Sequence, residues 1–178
     1  GERVVVHPAA QGKAEREAAV AEAERNFHRL AEALADAGDC KICLETLGKI
    51  RQVGRVEEVL RFCKISDSFY PCFDFGHINC YTMGGIRTKD DYRRIIDASF
   101  DALGEEKTRN MHVHFSKIAY GAGGESHHLT FADETFGPDY RPLAELIDEY
   151  GLTPFVVCES DGTMADDAVL MKNMHKNV

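Results

Sequence analysis

The sequence predicts an α/β fold with parallel strands, formed by a single domain that spans residues 1–178. Short apolar runs alternate with longer amphipathic segments along the chain. No linker, repeat or low-complexity segment interrupts this alternation. Strands that alternate with helices pair in parallel. Five such units could form part of a barrel or a doubly wound sheet, and the composition does not choose between these two architectures.

Each predicted element has a local signal. Strands are predicted where short apolar runs occur, at 3–7, 41–45, 70–74, 111–115 and 154–159. Helices are predicted where apolar residues recur at helical spacing, at 13–37, 56–63, 90–103, 140–150 and 164–176. Gly38, Gly104 and Gly151 follow three of these helices and are typical helix stops. Glu57 and Glu58 are predicted to lie on a solvated helix face.

Composition narrows the class of protein. The 178 residues suffice for one domain with a hydrophobic core, and no apolar stretch approaches the roughly 18 residues that a membrane span needs. The N-terminal apolar run is too short for a signal peptide, and Cys40 and Cys43 form a CxxC without the second pair of a zinc ribbon. We therefore expect a cytoplasmic protein with reduced cysteines. The net charge of −9 weighs against avid DNA binding through a basic face, unless bound cations reverse the local sign.

Every predicted strand delivers a histidine or a carboxylate at its C-terminal end. In a parallel sheet these ends share one edge, and gathered carboxylates and imidazoles are ligands for Zn, Mn or Fe. A lone histidine at such a position is more often a hydrogen-bonded loop residue, and a lone carboxylate can cap a turn. Recurrence at all five strand ends favours a metal site. The residues in question are His7, Glu45, Asp74 with the nearby His77, the pair His112 and His114, and Glu159.

A glycine-rich loop is predicted at 121–128, after the fourth strand. Its glycines permit unusual backbone conformations near a ligand. Glu125, together with either His127 or His128, could hold another metal ion. The alternative is a mobile surface loop.

Five motifs resemble those of the endonuclease IV family, within the wider xylose-isomerase-like barrels. They occur in the family's order and cover essentially the whole chain: Val6-His7-Pro8, Leu44-Glu45-Thr46, Asp74-Phe75-Gly76-His77, Met111-His112-Val113-His114-Phe115-Ser116-Lys117 and Cys158-Glu159-Ser160. The resemblance implies a (β/α)8 barrel of the TIM type, of which this chain holds about the last five β-α units. Five strands cannot close a barrel. We therefore expect the first three units to belong to a longer chain or to another chain.

The resemblance also implies a set of ligands. The family has a trinuclear metal site, usually zinc, that cleaves the DNA backbone 5′ to an abasic sugar in base excision repair. By this resemblance Glu45 bridges two ions and positions the nucleophile, and His7 shares the first ion. The second ion takes Asp74, His112 and Glu159, and the third takes His77, Glu125 and either His127 or His128. His114 stands where the family has a polar residue that is not a ligand, so it is expected to support a ligand or contact the substrate.

The favoured hypothesis is thus a phosphodiester hydrolase with two or three zinc ions, or Mn or Fe, acting on DNA with abasic sites. The main rival is a sugar or sugar-phosphate isomerase or epimerase with a single ion, in which Glu45 and Glu159 would move protons. Net acidity favours the rival, whereas the additional His77 and Glu125 favour the nuclease. A non-catalytic protein on the same scaffold is a third alternative, and the missing units also allow this chain to be inactive by itself. Five basic residues are candidate phosphate contacts by position, and the alternative, which we favour for most of them, is a solvated surface: Lys49, Arg51, Arg55, Arg87 and Lys117.

Overall fold

A computed structural model describes residues 1–35, 38 and 40–175 of the chain. Nine strands and six helices follow one another in this described part. In chain order they are β1 (Arg3–Val6), β2 (Ala9–Ala10), α1 (Arg16–Ala33), β3 (Lys41–Glu45), β4 (Gln52–Val53), α2 (Val56–Cys63), β5 (Phe69–Asp74), α3 (Phe75–Tyr81), α4 (Lys89–Arg109), β6 (His112–Phe115), β7 (Ile118–Gly121), β8 (Gly124–His128), α5 (Arg141–Tyr150), β9 (Phe155–Cys158) and α6 (Met164–His175).

The five predicted strands form one parallel sheet in the order β1-β3-β5-β6-β9. Helices connect successive strands of this sheet, so the α/β class is confirmed and the sheet is part of a TIM-type barrel. Two small antiparallel sheets, β2-β4 and β7-β8, lie beside it. The outermost strands leave apolar side chains exposed, such as Val4 on β1 and Phe155 on β9. Exposure of this kind is expected where a sheet edge has no neighbouring strand.

The two faces of the sheet differ in what they pack against. Residues on one face, such as Leu44, Phe73 and Val113, pack with the helices in two large hydrophobic clusters. Cys43, Tyr70 and Cys72 point to the opposite, inner face and form a small cluster of their own. Because successive side chains of a strand alternate between faces, the inner face also carries the charged residues of the strand ends.

Several predicted boundaries need correction. The first helix begins at Arg16 rather than at residue 13 and ends at Ala33; residues 36 and 37 of the prediction lie outside the described part. Helix α4, predicted at 90–103, does not stop at Gly104. The backbone at Gly104 is non-helical, with φ 76°, but the helix resumes and continues to Arg109. A glycine kink therefore replaces the predicted end.

Five elements were not anticipated from the sequence, namely one helix and four short strands. Helix α3 begins directly after β5, because the side chain of Asp74 accepts a hydrogen bond from His77 N and caps it. The predicted loop at 121–128 is mostly strand β8 of a hairpin with β7. Strands β2 and β4 have two residues each, too few for a periodic signal.

Glu58 was expected in solvent and is buried instead. Its carboxylate receives two hydrogen bonds from the Arg16 guanidinium, at 2.7 and 2.6 Å, and others from Gly54 N and Arg55 N. This bidentate pair joins α1 to α2 and fixes the start of α2. Glu57, the adjacent residue, is exposed as predicted. Among the described residues, every helix is too short or too polar to cross a membrane.

Candidate metal centre

The strand ends meet because the sheet is staggered. Glu45 is level with Cys72 and His112 in the hydrogen-bonded register, whereas Asp74 is level with His114. The strands of a barrel tilt relative to its axis. Residues at the same height along the axis are therefore not register partners: each strand contributes a residue that lies further along the chain than the register partner of its neighbour. The tilt therefore groups Glu45 with Asp74 and His114, and it leaves His112 one row deeper.

Four of these side chains form a carboxylate cluster, which we define as Glu45, Asp74, His114 and Glu159. One ligand atom from each lies within 4.8 Å of the others. His114 Nδ1 is 3.1 Å from Glu45 Oε1 and 3.2 Å from Glu159 Oε1. Three carboxylates and one imidazole suit a divalent cation such as Mn²⁺ or Zn²⁺.

Asp74 provides an independent test of whether a cation fits. The residue is fully buried, and its Oδ2 atom has no hydrogen-bond partner in the described part of the chain. Its other oxygen accepts from His77 N, and its backbone N–H donates to Thr46 Oγ1 at 2.9 Å. Asp74 Oδ2 lies 3.3 Å from His77 Nδ1 without a hydrogen bond, so the carboxylate is held in place with one oxygen that still lacks a hydrogen-bond donor. A buried charge of this kind is costly unless a cation joins it, so the residues fit a metal ion.

A second group, the histidine cluster, consists of His77, Glu125 and His128. His77 Nδ1 is 3.0 Å from the carbonyl oxygen of Thr46, which leaves Nε2 facing Glu125 Oε2 at 3.5 Å. His128 Nδ1 is 2.8 Å from Ser116 Oγ. In both histidines one ring nitrogen is held by a neighbour and the other is available, which is the usual arrangement of a metal-bound histidine.

Glu45 connects the two clusters. Its Oε1 atom faces both His114 and His77, the latter at 3.4 Å. Its Oε2 atom is 3.0 Å from His7 Nε2, although the His7 side chain is 65% exposed. One carboxylate thus reaches residues of both groups and the strand-end histidine of β1. All these residues except Asp74 and His114 line one open pocket, together with Lys49 and Gln52.

The structure separates the histidines that sequence spacing left ambiguous. His128 joins the histidine cluster, whereas His127 is exposed and its Nδ1 lies near Ser126 Oγ. The register of the β7-β8 hairpin shifts between Ala119 and Tyr120, so that Ser126 has no register partner. This bulge puts Glu125 and His128 on one face, although three positions separate them.

His114, rather than His112, lies in the carboxylate cluster. The resemblance assigned His112 to the second ion, but the geometry brings His114 to Glu45 and Glu159. His112 lies beside Cys72 and is in neither cluster. The sequence signal was present, because His114 is the histidine nearer the strand's C-terminal end, where barrel ligands gather.

Contacts of three glycines hold the hairpin over the site, and sequence reasoning missed them. Glu125 N donates to Gly48 O, and Ile50 N donates to Gly123 O. A Cβ atom on Gly124 would lie 2.2 Å from Gly48 O, and one on Gly48 would lie 2.8 Å from Glu125 Cβ. Only glycine permits this close approach, which brings Glu125 to His77.

The charges of the site shift several pKa values in the metal-free protein. Burial alone would lower the pKa of His77, but the carboxylates of Asp74, Glu45 and Glu125 raise it to about 10. Burial raises the pKa of Glu159 to about 7; the carboxylates of Asp74 and Glu45 add to this rise and His114 opposes it. The pKa of Glu45 is held well below its usual range by His114 and His77, against the effect of burial. Protonated His77 therefore supplies positive charge beside the carboxylates.

Substituting Glu159 with Gln is expected to change how the stability of the metal-free protein depends on pH. The folded pKa of Glu159 is about 7 and its usual value is 4.5, so the folded state holds more protons between these pH values. Stability therefore falls as pH rises through this window. Relative to Glu159→Gln, the wild type should lose up to about 3 kcal/mol. Screening reduces this loss, because the Glu159 side chain is 31% exposed.

Urea unfolding in the presence of a chelator, below pH 4.5 and above pH 7, measures this difference. His112 titrates in part of the same window with the opposite effect, since burial lowers its pKa to about 4. That contribution is common to both proteins and cancels in the comparison. Parallel stability curves for the two proteins would contradict the prediction.

The five candidate phosphate contacts differ in their hydrogen-bond partners and in their distance from the pocket. Arg51 donates to Gly12 O, Arg87 to Gly84 O, and Lys117 to the carbonyl oxygens of Phe131 and Asp133. These three residues therefore hold loops. Arg55 precedes α2, and Lys49 lines the pocket with the ligand residues. Lys49 is thus the candidate best placed to meet an anionic substrate.

The fold and the clustered strand-end residues define a half-barrel with a candidate metal site. The chain belongs to the xylose isomerase-like TIM barrel family, since a sequence model of that family matches residues 1–174. The resemblance to endonuclease IV within this family is confirmed.

Two curated relatives are similar over most of the chain. An uncharacterised protein of Methanocaldococcus jannaschii is 32% identical over 174 residues, which is 97% of this chain and 62% of that protein. A probable endonuclease 4 of Staphylococcus carnosus is 28% identical over 130 residues, 70% of this chain and 42% of that protein. The chain thus spans less than two thirds of either relative.

Solved structures of two enzyme types share the fold. Endonuclease IV from Thermus thermophilus superposes with a TM-score of 0.64 at 17% identity, covering 99% of this chain and 62% of that one. A D-tagatose 3-epimerase-like protein superposes with a TM-score of 0.64 at 23% identity, covering 99% and 61%. A third neighbour, an IolI protein solved with a bound zinc atom, has a TM-score of 0.59 at 15% identity, covering 99% and 60%. At these identities the likeness shows the fold alone, and the fold accommodates both chemistries.

Proposed function

We propose that this protein is part of a metal-dependent phosphodiester hydrolase that cleaves DNA at abasic sites. One observation carries the proposal: the histidine cluster adjoins the carboxylate cluster, and Glu45 faces both. A single ion needs only the four residues of the carboxylate cluster. Additional imidazoles held for ligation beside them favour a centre of two or three ions, with zinc the expected metal.

Bound divalent ions would supply Lewis acidity, activate water and stabilise charge on the attacking and leaving oxygens. The residues of the chain have separate tasks around them. Glu45, which faces both clusters, would help to hold the ions of both and would position the nucleophile. Asp74, His114 and Glu159 would hold one ion, whereas His77, Glu125 and His128 would hold another. Lys49, at the rim of the pocket, would contact a phosphate oxygen of the DNA backbone.

Epimerisation of a sugar or sugar phosphate is the second candidate. Two observations favour it: the carboxylate cluster is a complete site for one ion, and the net charge is −9. In that reaction Glu45 and Glu159 would exchange protons with the substrate carbon that changes configuration. Burial of Glu159, which raises its pKa to about 7, suits such a role in the metal-free state. The histidine cluster would then have no catalytic task.

Metal content and substrate preference decide between these functions. Elemental mass spectrometry of protein purified without chelator should give about two or more equivalents of zinc or manganese per chain. The loaded protein should cut a duplex with one abasic site and leave ketose sugars unchanged. A single equivalent with epimerase activity would establish the second candidate, and metal-free protein without either activity would remove the support for both.

A further inference from the structure

Beneath the carboxylate cluster, Cys72 and His112 lie side by side on the inner face of the sheet. They are direct register partners on β5 and β6. Cys72 is fully buried and His112 is 7% exposed. Neither ring nitrogen of His112 has a hydrogen-bond partner among the residues that the structure describes. Leaving such a buried polar group unsatisfied costs about 1–3 kcal/mol, so a bound partner would account for its position.

The neighbouring side chains provide a donor set for that partner. Cys72 Sγ and one ring nitrogen from each of His112 and His114 lie within 4.8 Å of one another. The two imidazole rings meet edge to face, with centroids 5.0 Å apart. Sulfur and imidazole nitrogen are the ligands that Zn²⁺, Cd²⁺ and Cu⁺ prefer, whereas the oxygen-rich carboxylate cluster suits harder ions. The inner face thus carries two donor sets of different chemistry, one above the other.

We propose that Cys72 and His112, with His114 at their border, bind one thiophilic metal ion at a site distinct from the carboxylate cluster. Binding forms a metal–sulfur bond and releases the thiol proton to solvent. His114 Nδ1 faces Glu45 and Glu159, so the lower ion takes the remaining nitrogen of the ring. This inference does not rest on the proposed function, since Cys72 and His112 are donors that the phosphodiester chemistry does not use, and His114 is the one residue that both donor sets share.

Cadmium titration of the full chain tests the site. With magnesium present to occupy the carboxylate cluster, Cd²⁺ should produce a thiolate-to-cadmium charge-transfer absorption that saturates at about one equivalent. Cys72→Ser should abolish this absorption. His112→Gln should keep the thiol but weaken Cd²⁺ binding at least tenfold, about the effect of losing even a supporting residue.

Two matched variants identify the source of the signal. Cys43→Ser removes another buried thiol of the same inner-face cluster and one half of the CxxC, and it should leave the absorption intact. Glu159→Gln disables the carboxylate cluster and should also leave it intact, which separates this site from the proposed catalytic centre. The inference is overturned if the wild type shows no absorption, or if the absorption survives in Cys72→Ser. Thermal unfolding confirms that each variant is folded.

Discussion

Glu45→Gln is expected to lower metal content and phosphodiester cleavage more than any other single substitution in this chain. Glu45 is almost fully buried and faces His7, His77 and His114. A neutral amide cannot bridge two cations, so both clusters lose affinity together. The loss in rate should exceed the roughly 10–100-fold that removal of a supporting residue causes.

Glu57→Gln is the matched control, because Glu57 is an exposed glutamate that belongs to neither cluster. It should retain both metal content and activity. Gln at position 45 also removes the negative charge beside two buried histidines, so thermal unfolding must show that the variant is folded. A folded Glu45→Gln protein that binds the full complement of metal and cuts an abasic-site duplex at the wild-type rate would refute the bridging role.

Gly124→Ala is expected to remove the metal ion of the histidine cluster while the carboxylate cluster keeps its own. Gly124 has φ +87°, a conformation that costs a residue with a side chain about 1–2 kcal/mol. The added methyl carbon would also lie 2.2 Å from Gly48 O, so the hairpin must move away from the loop after β3. Glu125, the next residue, then withdraws from His77. Metal content should fall by about one equivalent, and the melting temperature should fall with it.

Gly123→Ala provides the control for this experiment. A Cβ atom on Gly123 has no atom within 4 Å in the described structure, and the residue stands in the same hairpin turn. This variant should match the wild type in both metal content and stability. If Gly124→Ala also retained the full metal content, the hairpin would not position Glu125, and the histidine cluster would lose its support as a metal site.

The first prediction concerns a side chain at the end of a strand of the parallel sheet, and the sequence was sufficient to find those ends. Strands β3 and β5 were predicted to within one residue, because apolar runs bounded by polar residues are a local signal. The edge shared by Glu45, Asp74 and Glu159 follows from parallel pairing alone. The class of fold and the existence of an acidic, histidine-rich edge therefore did not require coordinates.

The choice between neighbouring histidines did require them. His112 and His114 are two residues apart and share one face of the strand, and only the tilt of the sheet brings His114 close to Glu45. His127 and His128 differ by one position, and the hairpin bulge decides that His128 faces Glu125. Spacing along the chain cannot reveal either relation, because stagger and bulges arise from how separate strands pair.

Burial of charge was likewise decided by tertiary packing. Glu58 has the local sequence of a solvated helix residue, yet Arg16 from a distant helix covers it. The close approach of Gly48 and Gly124 also joins segments far apart in the chain. Local patterning thus determined the elements and the edge on which the ligands gather. Strand stagger and long-range contacts determined which side chains meet there, because both depend on how segments that are far apart in the sequence are positioned relative to one another.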